Sequence, residues 1–438
     1  MGDCSIFERS RVFAKRSFQS WPNLLSTVRV ISFEWVKSSG LGLIAGFAMV
    51  LPWQVLRAQV GEPVIEIVTR DKVLSVPTTS LSSLPLQIYT SVAEGYDDNF
   101  RATAKEEGSF FTSGRLSLSY ALAREAIGLS IVAGGGAVIY PEQTDYDGFL
   151  NLTFNYAVSR RLSLNLELDG GYQAEPDFGS DVGPSARAGS FFHANDTLSA
   201  TYELSRDWSS VSSYSFRLVR YDDTNTAAVT DRQEHTFGEQ LRYQWSPTVL
   251  LVAEYRFETI DYVTAPRDSD TNFILGGLDA QLSRRLKVGF RSGATFRHME
   301  LSGDTTDPHF EGSLDYMAGR DATLRLTTSY SVEETGLQTA ASRTTFRTGL
   351  QLIYGFTARI RSTLSFDYHH DENAQPNLID GPSGDFSEDS LAVSAGLSYQ
   401  INRRWTTNLN FDHSDVISDI PASAYSRNRG SIGFSFIY

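Results

Sequence analysis

The chain has 438 residues, with 52 acidic against 38 basic side chains and a formal charge of −14. It is rich in Phe (27), Tyr (20) and Gly (34) and poor in Met (4), a mix that favours strands over helices. The charge excludes a nucleic-acid partner, which needs a basic face, and the single cysteine, Cys4, leaves no disulfide framework and no thiolate metal site. No cofactor and no metal is expected.

In chain order, the first feature is the apolar run LGLIAGFAMVL at 41–51. It is shorter than the roughly 20 residues of a spanning helix and has the length of a signal-peptide core. Arg29 and Lys37 precede it and Ala58 offers a small residue for cleavage, so residues 1–58 read as a leader, with an N-terminal anchor as the other reading. Cys4 lies before the run, where a lipoprotein cysteine would follow it. Residues 59–83, with Pro63, Pro77 and a Ser/Thr run, read as a periplasmic lead-in too short for a substantial plug.

From residue 84 onward the chain alternates apolar and polar residues with period two, the pattern of strands with two unlike faces. Expected strands span 84–97, 110–123, 127–140, 148–158, 161–173, 193–205, 209–222, 234–246 and 248–262. They continue over 271–283, 285–300, 309–318, 321–333, 342–354, 359–370, 390–401, 403–415 and 425–438. At 162–169, Leu162, Leu164, Leu166 and Leu168 oppose Ser163, Asn165, Glu167 and Asp169. The opposite face is polar in strand after strand, with no second apolar layer to pack as a core.

A tyrosine recurs four residues before an arginine at Tyr120 and Arg124, Tyr156 and Arg160, Tyr202 and Arg206, Tyr316 and Arg320, and Tyr399 and Arg403. Looser copies follow Tyr243 and Tyr354, and a copy at Ala280 to Arg284 lacks the tyrosine. Each marks a short reversal, while the connections at the other strand ends are long and variable, as at 174–190 and 372–389. Short turns at one end, long loops at the other and tyrosines at a fixed distance from the turns are the layout of an outer-membrane barrel. The expectation is an all-β, transmembrane antiparallel up-and-down β-barrel over 84–438, of about eighteen strands with sixteen to eighteen admissible. It places the protein in the outer membrane of a Gram-negative bacterium, in contact with outer-membrane lipid.

The last strand alternates Ile432, Phe434, Phe436 and Tyr438. An alternating strand that ends in an aromatic is similar to the signal read by the barrel assembly machinery, so Phe434, Phe436 and Tyr438 are the assembly-signal candidates. The first strand carries Tyr96, Asp97, Asp98 and Asn99, with a partial echo at Tyr221, Asp222, Asp223, Thr224 and Asn225. Reversals of the type Ser159, Arg160, Arg161, Leu162 accompany it. These elements resemble the putative β-barrel porin 2 family, and the resemblance covers about residues 84–438. It implies a porin-like outer-membrane protein. Members of that family are often associated with exopolysaccharide export loci, so it also implies a part in exopolysaccharide secretion with periplasmic polysaccharide-export proteins.

By parity the lumen receives the acids Glu167, Asp169, Glu203, Glu254, Asp279, Asp315 and Asp367. It also receives the bases Arg217, Arg242, Arg256, Lys287, Arg291, Arg325 and Arg347. Two readings are open: facing charges that tune which solutes pass, or cross-strand pairs that stiffen a polar wall. Near-balance of the signs fits a saccharide or other small neutral solute better than phosphate. Acid pairs assigned to loops, among them Asp145/Asp147, Asp222/Asp223, Asp268/Asp270, Asp304/Asp307 and Asp385/Glu388/Asp389, lack calcium-loop spacing and read as solvated surface or cation sites. His369 and His370 stand beside Asp371 and Glu372, but adjacent strand residues face opposite sides and no serine sits in a nucleophile motif. An enzyme is therefore not expected. The reading is a channel for exopolysaccharide secretion or saccharide passage. A general diffusion porin and a closed structural barrel are the alternatives.

Overall fold

The computed structural model describes residues 65–69, 72–76, 86–174, 189–300, 303–333, 342–374, 386–421 and 423–438. The expected leader lies outside the described residues, as does most of the connection at 372–389. Ahead of residue 84, β1 (Ile65–Thr69) and β2 (Lys72–Val76) pair antiparallel. Their IEIVT and KVLSV sequences are rich in β-branched residues, which suit extended backbone.

Eighteen further strands form one closed barrel. They are β3 (Leu86–Asp97), β4 (Ser109–Ala123), β5 (Ile127–Ile139), β6 (Thr144–Ala157), β7 (Leu162–Gln173), β8 (Phe191–Glu203), β9 (Trp208–Tyr221), β10 (Arg232–Ser246) and β11 (Val249–Tyr262). Then come β12 (Ser269–Ser283), β13 (Leu286–Met299), β14 (Gly303–Ala318), β15 (Ala322–Glu333), β16 (Ser342–Gly355), β17 (Ile360–Ala374), β18 (Phe386–Gln400), β19 (Trp405–Ser418) and β20 (Tyr425–Ile437). Each pairs antiparallel with its chain neighbours, and β20 pairs with β3 to close the ring. Closure leaves no exposed edge and satisfies the backbone polar groups between strands, the condition for strands that cross lipid.

The turns and loops segregate as the repeat predicts, with short reversals such as 158–161, 247–248 and 284–285 at one end. The expected strands are all present, yet several run further at the loop end than the alternation suggests. β6 begins at Thr144, β14 at Gly303 and β18 at Phe386, while β17 continues to Ala374. Above the apolar band a strand needs only its hydrogen-bond ladder, so the pattern of side chains ends before the strand does. Asp145, Asp147, Asp270, Asp304, Asp307, Glu388 and Asp389 therefore sit on strands rather than in loops. The connection after β9 also differs: it forms α1 (Thr224–Thr230), whose N-cap Asp223 accepts from the amides of Asn225 and Thr226.

Outward side chains carry the apolar stripe. Near the turns they form an aromatic belt, with Trp208 on Tyr243 at 4.8 Å, Tyr354 on Phe356 at 4.8 Å and Trp405 on Phe436 at 4.9 Å between ring centroids. Such pairs contribute about 0.5–1.5 kcal/mol each beyond their area burial. Carboxylates interrupt the stripe at Glu94, Asp196 and Glu239, and two of them take a hydrogen bond from a neighbouring outward hydroxyl: Glu94 from Thr112 and Glu239 from Ser212.

The inner face is not purely polar, contrary to expectation. Phe111, Val132, Val252, Phe273 and Leu275 are inward and buried. Part of the reason is the connection after β3: Phe100 packs with Phe111 and Tyr140, and Ala102 with Val416 and Tyr425. The first connection thus turns onto the inner wall and covers apolar residues there. Ala102 takes a positive φ of 49° to make that turn.

Candidate functional site: the inner wall and its seam

All fourteen lumen candidates occupy inward positions by strand register, opposite the exposed apolar stripe. Ion pairs that reach over intervening strands confirm the concave side. Arg256 on β11 meets Glu311 on β14 with two parallel bonds, of 2.7 and 3.2 Å, the bidentate geometry in which guanidinium and carboxylate bind most strongly. Arg256 also donates to Glu254, whose other oxygen lies 3.8 Å from Arg291. Arg291 reaches Asp279 at 2.7 Å.

That last contact depends on Gly277. A Cβ there would lie 2.0 Å from the Phe290 carbonyl oxygen and 2.8 Å from Arg291 Cδ. The glycine gives the guanidinium its path to Asp279. Gly136 does the same across β5, where Arg115 on β4 meets Asp147 on β6 at 2.6 Å.

These groups enclose a recess of about 400 Å³ lined by Gln240, Glu254, Arg256, Asp279, Arg291 and Arg347, with Ser313 and Thr327 supplying hydroxyls. Of the fourteen candidates, five are gathered here: Glu254, Arg256, Asp279, Arg291 and Arg347. Arg242 stands beside it, donating to Gln240 at 2.6 Å. The others are dispersed. Arg217 meets Asn195 and Glu234, Asp315 meets Arg325 at 2.7 Å, and Asp169 lies 3.8 Å from His193. Glu167 accepts from Asn165, Lys287 is the register partner of Asp315, Glu203 lies at the turn end of β8, and Asp367 is inward on β17.

Sequence reasoning missed several partners, namely Glu234, Glu311, Glu333, Arg343 and Arg427. Glu311 shares parity with Asp315 and lies within the expected strand 309–318, so the parity that found Asp315 points to it as well. The paired wall presents alternating guanidinium donors and carboxylate acceptors with little excess of either sign. It can hydrogen-bond hydroxyl groups without imposing a strong field on what passes.

A second cluster forms where the ring closes. Asp97, buried on the inner face, accepts from Arg427 Nε at 3.0 Å and Nη2 at 2.5 Å, and from the Tyr140 hydroxyl at 3.0 Å. Asp98 accepts from the Asn428 amide at 2.6 Å and from its side chain at 2.7 Å. Asn99 donates to the carbonyls of Ser426 and Thr103, while Tyr96 faces outward against Phe110 at 5.1 Å. The motif joins the first strand to the last. At the other end of the seam, Tyr438 exchanges both backbone bonds with Ile88, and Phe434 is outward and exposed.

Carboxylates also pin the outer connections. Hydrogen bonds from Thr226 and Asn225 hold the Asp223 carboxyl below its ordinary range. Those from the Ser387 amide and hydroxyl do the same for Asp419, just beyond β19.

The family model described as putative beta-barrel porin 2 matches residues 89–436. No curated protein matches the chain. Among solved structures it is similar to Pseudomonas aeruginosa OccK2 (OpdF), described in complex with glucuronate, at 13% identity over 80% of this chain and 97% of that one, with a TM-score of 0.43. It is also similar to Acinetobacter baumannii OccAB3, at 15% identity over 81% of this chain and 99% of that one, with a TM-score of 0.41.

Proposed function

The chain belongs to the putative beta-barrel porin 2 family, whose barrels lie in the Gram-negative outer membrane, and on that footing we propose that it is a passive diffusion channel for small hydrophilic solutes, uncharged saccharides among them. The observation that carries this reading is the paired inner wall: arginine and carboxylate alternate across β10 to β16 around a recess of about 400 Å³. That volume falls within the range of about 300–1,000 Å³ typical of small-molecule sites. Barrels of this strand number leave an aqueous lumen, and a wall with matched charges hydrogen-bonds a polyhydroxyl solute while favouring neither ion sign. Secretion of an exopolysaccharide with periplasmic export proteins rests on the family resemblance and has no observation of its own in the wall.

The test is swelling of proteoliposomes in uncharged sugars of increasing size. The expected result is swelling that is fastest for pentoses and hexoses, falls steeply for trisaccharides, and scales with protein content. Absence of swelling with every sugar would reject the reading and leave a closed structural barrel.

A further inference from the structure

At the loop end of the inner wall, β16, β17 and β18 gather buried carboxylate and hydroxyl oxygens that lack hydrogen-bond partners. Thr345, Asp371 and Glu388 are consecutive register partners across the three strands. Directly opposed side chains on one face stand about 5 Å apart. Ser390 is the next inward residue on β18, opposite His369. Thr345, Asp371, Glu388 and Ser390 are 0, 2, 4 and 1% exposed. One oxygen of each, Thr345 Oγ1, Asp371 Oδ1, Glu388 Oε2 and Ser390 Oγ, is buried without a hydrogen-bond partner. Buried oxygens are rarely left so, because nothing replaces the water they lose.

The ion pairs are also unevenly shared. Arg343 contacts Asp371 at 3.2 Å and Glu333 at 3.3 Å, and Arg347 contacts Glu333 at 2.8 Å. Of these three carboxylates Glu388 alone makes no ion pair among the described residues, and the inward, buried His369 stands opposite Ser390. The neighbouring Asp389 is outward, bonded to Tyr368 and His370, and takes no part.

We propose that this niche is a calcium-class cation site, with Asp371 and Glu388 as charged ligands and the hydroxyls of Thr345 and Ser390 completing the protein's share. A hard divalent cation is the species whose chemistry fits four oxygens of mixed kind. Calcium accepts about six to eight oxygen ligands in irregular geometry, whereas magnesium demands a near-ideal octahedron that a flat strand register does not offer. A proton shared between Asp371 and Glu388 would relieve the carboxylates but leave both hydroxyl oxygens as they are. The bound ion would tie the outer ends of three adjacent strands together, so it stiffens the barrel mouth independently of what the lumen conducts.

The test uses the full barrel in detergent, stripped with chelator and titrated with calcium chloride. Isothermal titration calorimetry and thermal unfolding are the readouts. Saturable one-site binding with a rise in Tm is expected, with magnesium weaker, and Glu388→Gln should weaken calcium binding by roughly tenfold or more. Because charge variants can disturb folding, the Thr345→Val/Ser390→Ala double variant, which keeps both carboxylates, should also bind calcium more weakly. Absence of saturable binding would overturn the proposal, as would equal affinity in both variants. A wild type stabilised by acid but not by calcium, with Glu388→Gln more stable at neutral pH, would assign the niche to a shared proton instead.

Discussion

Asp97 is a carboxylate with no exposed side-chain surface, held by Arg427 from the last strand and by the Tyr140 hydroxyl. Removing one partner of a buried pair leaves the other charged and desolvated, which costs about 3–5 kcal/mol. Asp97→Asn should therefore destabilise the barrel by that order, read as a lower temperature for the heat-induced mobility shift on gels. Arg427→Met alone should do the same, and the double variant should lose less than the sum. Equal and additive losses would mean that the pair does not close the seam. The Tyr96 to Asn99 stretch was recognisable in the sequence as a motif, but its job was not. Arg427 lies 330 positions away, and no local pattern announces a contact made only when the ring shuts.

At the scale of elements, period-two alternation located each barrel strand because lipid selects every outward residue in the membrane. Where the strands leave lipid that selection stops, and the loop-side ends of β6, β14, β17 and β18 were therefore invisible. The same limit hid part of the niche on β16 to β18, because Glu388 read as a loop acid. Helix α1 went unseen because TNTAAVT has no apolar periodicity; its start depends on the cap at Asp223. That cap makes a pH prediction. Asp223 and Asp419 have carboxyls lowered by hydrogen bonds in the folded state. Their contribution to stability is complete above the ordinary aspartate value of about 3.9 and fades as pH falls through their lower folded values. Carbon-detected titration of the aspartate carboxyls should give both midpoints below about 3.9. Midpoints at or above that value would show that the caps do not form.

For the whole molecule, the composition already separated the two faces: abundant aromatics for the belts, acids and bases for the wall. Parity then assigned fourteen charged residues to the lumen, and the register sets all fourteen on the face opposite the apolar stripe. What parity could not supply was which charges meet, since Arg256 and Glu311 are 55 residues apart and join only across a curved wall. The matched wall is the central claim, and planar-bilayer recording on the purified barrel tests it most directly. Ohmic single-channel steps are predicted, with a reversal potential near zero in a potassium chloride gradient because neither ion sign is preferred. No conductance under any condition, or a reversal potential close to that of an ideally selective pore, would contradict it.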